Sequence, residues 1–349
     1  MKKVREWQHL DAWGMPTFLK VTQLRRVDCR RCGIRVEGVP WARKGARKTL
    51  ALEREVLRQA KDSSLSAVAR NLKLGWKAVL GIVRRAVAYG LARKRRNWRH
   101  LGVDEFSYGR GAQKYITTVW DHDRDEIAWV GHGKSSETLG AFFAFLGRRR
   151  TRRIRCVTLD MADAFIEEIR RKAPSAALVF DRFHIVRHLN EAVDELRKQE
   201  YWRQGGRHRD VVRGKRFLLL RHGSALSGPE RGSLERLLRL NRRIARAYLL
   251  KEDFDRFWSS RSAARGLAFL WTWSTIVMRT RLDTLKRFSR MLWRHFDGVL
   301  NYFRFHLTNA PLEGQNSRTR LLSQRARGFR NPNNLIMMLY HCAGNLPLW

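Results

Sequence analysis

Acidic residues are scarce in this chain of 349 residues, with 32 Asp and Glu against 72 Lys and Arg and a formal net charge of +40. A surplus of that size calls for a polyanionic partner, and nucleic acid is the first expectation. Lysine is scarce too, 16 against 56 arginines, and arginine is the side chain whose planar fork grips phosphate bidentately. GC-rich coding exchanges Lys for Arg but does not create forty surplus charges. Cysteine is limited to four residues, too few for a disulfide scaffold at this length, so thiols or metal ligands in a reducing cytosol are expected. Long apolar runs are missing as well. The longest, Gly266 to Met278, covers 13 residues, short of the roughly 20 that cross a bilayer. The N-terminus lacks the apolar region of a secretory signal. These absences predict a cytoplasmic, nucleoid-associated chain with no membrane partner. Enough apolar material is present, 44% with 13 Trp, to exclude disorder and fill two or three domains.

Five stretches differ in pattern. Residues 1–48 hold the only close cysteine pair, Cys29-Arg-Arg-Cys32-Gly33, after a β-like run from Thr17 to Val27. The pair looks like half of a zinc knuckle. A structural zinc site takes four ligands, so either His9 and another group complete it, half the site is missing, or the pair marks a plain turn. Residues 49–98 read as a helix-turn-helix followed by a basic linker. Leu72, Leu74, Val79 and Val83 supply a shared core, Ala69 permits close helix approach, and Lys77, Arg84 and Arg85 face outward toward a major groove. The alternative is an ordinary basic helical hairpin, and Lys73 stands where a turn glycine is more usual. The linker, with Arg93, Lys94, Arg95 and Arg96, is suited to tracking a phosphate backbone.

Residues 99–198 change to short β-branched and aromatic runs, which predict a three-strand antiparallel meander. A helix over Ser135 to Leu146 follows, then a strand ending at Asp160, a helix, a strand ending at Asp181 and another helix. That alternation implies parallel pairing and an α/β mixed sheet. Residues 199–307 carry apolar residues at helical spacing and read as an all-helical insertion. Residues 308–349 rejoin the core with a helix over Leu312 to Gln324, the turn Gly328-Phe-Arg330 and a closing helix.

In a chain this basic, carboxylates inside apolar strands need a reason. Asp104 follows Leu101-Gly-Val and Asp160 follows Val157-Thr-Leu, and a lone buried carboxylate is expensive. A divalent cation offsets that cost, and Glu313 near a helix start is a candidate third ligand. Residue types leave other uses open. Asp104 could form half of a turn with Glu105, Asp160 could cap the next helix, and Glu313 could complement a helix dipole.

Ordered along the chain, Gly102-Val-Asp104-Glu-Phe-Ser, Thr158-Leu-Asp160-Met, Phe180-Asp181-Arg-Phe-His184-Ile-Val, Ala247-Tyr-Leu-Leu-Lys-Glu252, Glu313-Gly-Gln-Asn316 and Gly328-Phe-Arg330 resemble the ISL-three family of bacterial insertion-sequence transposases. Trp7-Gln-His9-Leu-Asp11, the Cys29/Cys32 pair and Val39-Pro-Trp41-Ala extend the resemblance over nearly the whole chain. It implies an RNase H-like DDE core in which Asp104, Asp160 and Glu313 bind two Mg²⁺ or Mn²⁺ ions. It also explains the spacing of 153 positions from Asp160 to Glu313, because related transposases carry an all-helical insertion there. Asp181 and His184 match the family's D-x-x-H element, whose role the resemblance does not supply. The family normally carries an earlier CxxC, so Met1 is expected to be an internal start or the zinc ribbon to be decayed.

The resulting expectation is a DNA transposase. Its N-terminal module and helix-turn-helix bind the terminal inverted repeats of its element, its core cuts and joins strands, and it works as a homodimer or larger assembly on DNA. The catalytic carboxylates are expected to be left unneutralised by arginine so that they can bind metal. The rival is a non-catalytic DNA-binding repressor built on the same fold.

Overall fold

The computed structural model describes residues 4–22, 24–109, 114–203 and 208–349; Met1 lies outside them. Two small antiparallel hairpins come first, β1 (Arg5–Gln8) with β2 (Phe18–Val21) and β3 (Arg26–Cys29) with β4 (Gly33–Val36). Three helices follow: α1 (Leu50–Asp62), α2 (Leu65–Asn71) and α3 (Trp76–Arg93). Thr49 and Ser64 start the first two by accepting hydrogen bonds from Leu52 and Ala67 amides. The turn before α3 holds Lys73 at φ +50°, the left-handed conformation that favours glycine. Its ammonium reaches back 2.8 Å to Asp11 and so ties α2 to the N-terminal hairpins.

The strand run then forms one sheet. β5 (His100–Ser107), β6 (Tyr115–Asp121) and β7 (Glu126–His132) make the expected meander. α4 (Ser136–Leu146) and α5 (Arg148–Thr151) lead to β8 (Cys156–Leu159), and α6 (Asp163–Lys172) leads to β9 (Ala177–Phe180). β8 pairs parallel to β5, and β9 pairs parallel to β8. The spatial order is β7-β6-β5-β8-β9, a mixed α/β sheet. α7 (Arg182–Arg203) leaves β9 and enters a wholly helical region of α8 (His208–Val212), α9 (Arg216–Leu220), α10 (Gly228–Leu240), α11 (Arg242–Trp258), α12 (Ala263–Met278), α13 (Asp283–Arg294), α14 (Phe296–Leu300) and α15 (Tyr302–Phe305). α16 (Ala310–Arg325) and α17 (Pro332–Ala343) return to the sheet. Among the described residues no helix is long and apolar enough to cross a membrane.

The sheet separates two apolar layers, as strand alternation requires. Leu101, Val103, Val157, Leu159 and Phe180 face a core shared with α4, α6, α7 and the helical region, where Phe254, Trp273 and Phe288 meet edge to face and Phe257 stacks on Phe254. Phe106, Ile116, Trp120 and Ile127 face the other core, built from α16, α17 and the buried sides of α1 to α3. The helix-turn-helix is therefore welded to the sheet by a common core. The segment read as a basic linker takes part in this packing: Trp98 is buried and stacks on Phe142, 6.1 Å between centroids.

Gly102 sets how closely α16 approaches β5. A Cβ there would lie 2.5 Å from Leu312 Cδ1 and 3.0 Å from Thr158 Oγ1. Gly102→Ala is expected to destabilise the chain by about 1–3 kcal/mol through overpacking, and combining it with Leu312→Ala should cost less than the sum of the two single changes in thermal melts. A second expectation concerns acid. Burial pushes the His122 imidazole down to about 4, whereas an unfolded histidine takes its proton near 6.5. The stability tied to neutral His122 is complete above pH ~6.5 and lost as pH falls toward ~4. His122→Gln should flatten that part of a pH–stability curve.

Candidate active site

Three neighbouring strands bring a carboxylate each to one level of the sheet, Asp104 from within β5 and Asp160 and Asp181 from the residues just after β8 and β9. Gly102 pairs with Thr158, and Leu159 with Phe180, so two residues further along β5 and one further along β8 and β9 place Asp104, Asp160 and Asp181 level with one another. Alternation turns all three toward the side that α16 covers. Asp104 lies inside the continuous strand β5, not in a turn with Glu105. Asp160 does not cap α6, whose N-cap is Ala162 with no side-chain bond. Glu313 sits in the first turn of α16, one residue from the Leu312 contact with Gly102.

Each carboxylate is held differently. Asp104 accepts 2.6 Å from Asn316 Nδ2 and 2.8 Å from the Glu105 amide. Burial nevertheless raises its pKa, with those two bonds and the charge of His184 opposing the rise. Asp160 accepts 2.7 Å from the Met161 amide and 3.1 Å from Arg187, and its Oδ2 lies 2.9 Å from His184 Nδ1. Burial works against its ionisation, but the His184 contact, the Met161 amide and Arg187 outweigh burial and bring it down to about 2. Asp160 is thus neutralised in part by arginine, contrary to the expectation of carboxylates free of such partners. The helical spacing of α7 places His184 and Arg187 on one face beside it. The His184 pKa rises, because contact with Asp160 overcomes the effect of burial.

Asp181 is buried. Its Oδ1 accepts 3.1 Å from the Asn309 amide, while its Oδ2 has no hydrogen-bond partner and lies 4.0 Å from His184 Nε2. Burial, then the neighbouring Asp181 charge, raises the pKa of Glu313. Ligand atoms of Asp181, His184 and Glu313 fall within 4.8 Å of one another, the only such group of three among the described residues. Asp104 and Asp160 flank it without joining it. Asp104 and Glu313, whose pKa values burial raises, beside the buried and unpartnered Oδ2 of Asp181 fit a hard divalent cation.

Sequence reasoning gave no role to Asn309, Asn316 or Arg187. Asn309 is fully buried; its side chain contacts Thr158 Oγ1 at 2.5 Å and the Val103 carbonyl at 3.4 Å, so it ties α16 to both central strands. Its signal was its place four residues before Glu313, where its carbonyl accepts the Glu313 amide at 3.0 Å.

The predicted DNA-facing cations divide. Lys77, Arg84, Arg93 and Arg95 are exposed, Arg93 lying over Tyr89 and Arg96 over Phe145. Arg85 is at the surface but bonded 3.1 Å to the buried Glu53, which Arg43 also grips. With Lys77 it borders a groove that adds Lys44, Arg47 and Lys48. Lys94 departs from the expectation. Its side chain is 6% exposed, and its ammonium lies 2.7 Å from Glu126 and 2.6 Å from the Gly344 carbonyl, so it is not available to phosphate. Cys29 and Cys32 flank the β3–β4 turn, the contact between the two thiols lowering the pKa of Cys29. No third His, Cys or carboxylate joins them among the described residues, and His9 lies 2.9 Å from Thr49 Oγ1. Two thiols do not complete a tetrahedral zinc site.

A helix-turn-helix on an α/β sheet with carboxylates clustered beneath one helix defines the class of DNA-processing enzymes with a divalent-metal centre. Residues 101–339 match a DDE family of ISL3 described as Transposase, and residues 37–87 match the helix-turn-helix domain of transposase family ISL3. The chain is similar to the transposase for insertion sequence element IS1557 of Mycobacterium tuberculosis, 31% identical over 99% of this chain and 83% of that protein. It is also similar to the transposase for insertion sequence element IS1001 of Bordetella parapertussis, 29% identical over 88% of this chain and 77% of that protein. The chain belongs to the ISL3, or ISL-three, family of transposases.

Lys94→Ala should cost about 3–5 kcal/mol, the range for breaking a buried ion pair, and leave the salt dependence of DNA binding unchanged. Lys77→Ala should leave the melting temperature alone and reduce the magnitude of the log–log salt slope by about 1.

Proposed function

We propose that the core is RNase H-like and that Asp104, Asp160 and Glu313 hold two Mg²⁺ or Mn²⁺ ions, with Asp181 and His184 as auxiliaries. The observation that carries this is the level arrangement of three aspartates on neighbouring strands, Asp104 within β5 and Asp160 and Asp181 just after β8 and β9, beneath the helix that delivers Glu313. The sheet order β7-β6-β5-β8-β9, an antiparallel meander continued by two parallel strands, supports it. The chemistry such ions supply is activation of an attacking oxygen and stabilisation of the leaving one.

The chain's own groups position that chemistry. Asn316 orients Asp104, Asn309 holds Asp181 and sets the depth of α16, and His184 with Arg187 holds the charge on Asp160. His184 Nε2 faces Asp181 and Glu313, where it is placed to donate toward a phosphate oxygen or a departing hydroxyl. Water hydrolyses a phosphodiester at the element end and frees a 3′-hydroxyl; that hydroxyl then displaces a phosphodiester in target DNA. No covalent link between protein and DNA forms.

In the proposed division of labour, residues 1–48 and 49–98 recognise the terminal inverted repeats, with Lys77, Arg84, Arg85, Arg93, Arg95 and Arg96 on the phosphates. Residues 99–198 with 308–349 form the catalytic core, and 199–307 the helical insertion. Joining two ends requires at least a homodimer on DNA. A non-catalytic repressor would have no use for carboxylates whose burial raises their pKa. Asp104→Asn should remove Mg²⁺-dependent nicking of a labelled duplex taken from the DNA flanking the gene while DNA affinity persists. Nicking that survives the substitution would overturn the assignment.

A further inference from the structure

A cleft of about 1280 Å³ separates the helix-turn-helix from the sheet on the side of α16's last turn. It exceeds the roughly 300–1,000 Å³ of ordinary small-molecule pockets. Arg70, Lys114, Arg325, Arg327 and Arg330 line it, all five exposed, and no carboxylate does among the described residues. None of the five takes part in an ion pair there, whereas elsewhere on this surface arginines are commonly matched, as Arg43 and Arg85 are by Glu53. Uncompensated positive charge in a concave site concentrates field and favours an anion.

The cleft also presents rings. Trp76, 44% exposed at the start of α3, faces it together with the half-buried Tyr108 and Phe329. Bases in a duplex already cover each other's faces, so rings serve strands whose bases are unstacked. The walls lead away from the catalytic carboxylates. Asp104 and Tyr108 are joined by β5 and the residue after it, about 13 Å of extended chain. Glu313 and Arg325 lie at opposite ends of α16, about 18 Å apart along its axis. At the end of α16, Arg327 and Gly328 adopt φ +54° and +88°, and the turn they form carries Phe329 and Arg330 to the cleft. This gives the Gly328-Phe-Arg330 motif a role that the catalytic reading leaves open.

We propose that this cleft binds single-stranded DNA, stacking unpaired bases on Trp76, Tyr108 and Phe329 and holding their phosphates with the five cations. It rests on the strand-cutting reading, since a strand freed by cutting at an element end is able to leave its complement close to α16. The cleft then connects the module that recognises an end to the site that cuts it.

The test measures binding of the full-length protein, in EDTA, to a labelled oligothymidylate of about 12 nucleotides and to a labelled duplex from the DNA flanking the gene. Arg327→Ala with Arg330→Ala is expected to weaken oligothymidylate binding about tenfold and duplex binding less than twofold, and Trp76→Ala to weaken oligothymidylate binding about tenfold, the scale of one lost base stack. Trp76→Phe should restore single-strand affinity in part. All these side chains are solvent-facing, and thermal melts confirm that the variants fold. Equal loss on both DNAs would make the cleft a duplex path, and no loss on either would remove it as a DNA site; each result overturns the proposal. Because EDTA suppresses cleavage, failure of the catalytic assignment reads out separately: a wild-type chain that binds oligothymidylate in the cleft but never nicks in Mg²⁺ would refute the catalytic assignment alone.

Discussion

The approach of α16 to β5 is the contact on which the site depends. Gly102 leaves room for Leu312, and this depth brings Glu313 over the strands that carry Asp104, Asp160 and Asp181. Asn309 fixes the same depth by polar means, meeting Thr158, the Val103 carbonyl and Asp181 in a fully buried position. Since buried polar groups are costly when unpaired, these contacts leave α16 little freedom to slide. The remainder of the fold serves that placement. The helical region fills the chain between β9 and α16, and its aromatic core keeps α7, with His184 and Arg187, against the Asp160 edge.

Electrostatics gives the site its second character. A molecule of net charge +40 gathers carboxylates at one sheet edge and raises the pKa of two of them, Asp104 and Glu313, chiefly by burial. Asp160 differs because His184 and Arg187 stand beside it. One cluster therefore contains carboxylates with opposed tendencies, a condition associated with functional sites more than with passive ion pairs. The positive surplus is sorted as well: Lys94 is spent inside, Arg85 is shared with Glu53, and the cations of the α16 cleft remain unmatched.

The second apolar layer changes what the helix-turn-helix is mechanically. Val83, Val87 and their neighbours on α3 share a core with α17 and with sheet residues such as Trp120. Binding at α3 is thereby coupled to the sheet through packed side chains. Trp98 closes the connection from the opposite layer, so the basic segment between the two parts is a packed strut.

Much of this was legible in the sequence, because it rests on local pattern. Alternation and turn residues located the meander and both parallel strands, helical spacing located α1 to α3 and the insertion, and the charge balance pointed to DNA. The aspartates were visible for the same reason, as carboxylates within or at the end of apolar strands. What required tertiary structure was every property set by contacts between distant segments. Lys94 looked like a phosphate ligand until Glu126 and Gly344, far along the chain, enclosed it. Asp160 looked unpaired until α7 folded back beside it. Asn309 had no visible role until α16 met β5 and β8. Residue order determines which side chains can occupy a face; only the packing of the faces decides which charges are paired, which are buried and which are left open to DNA.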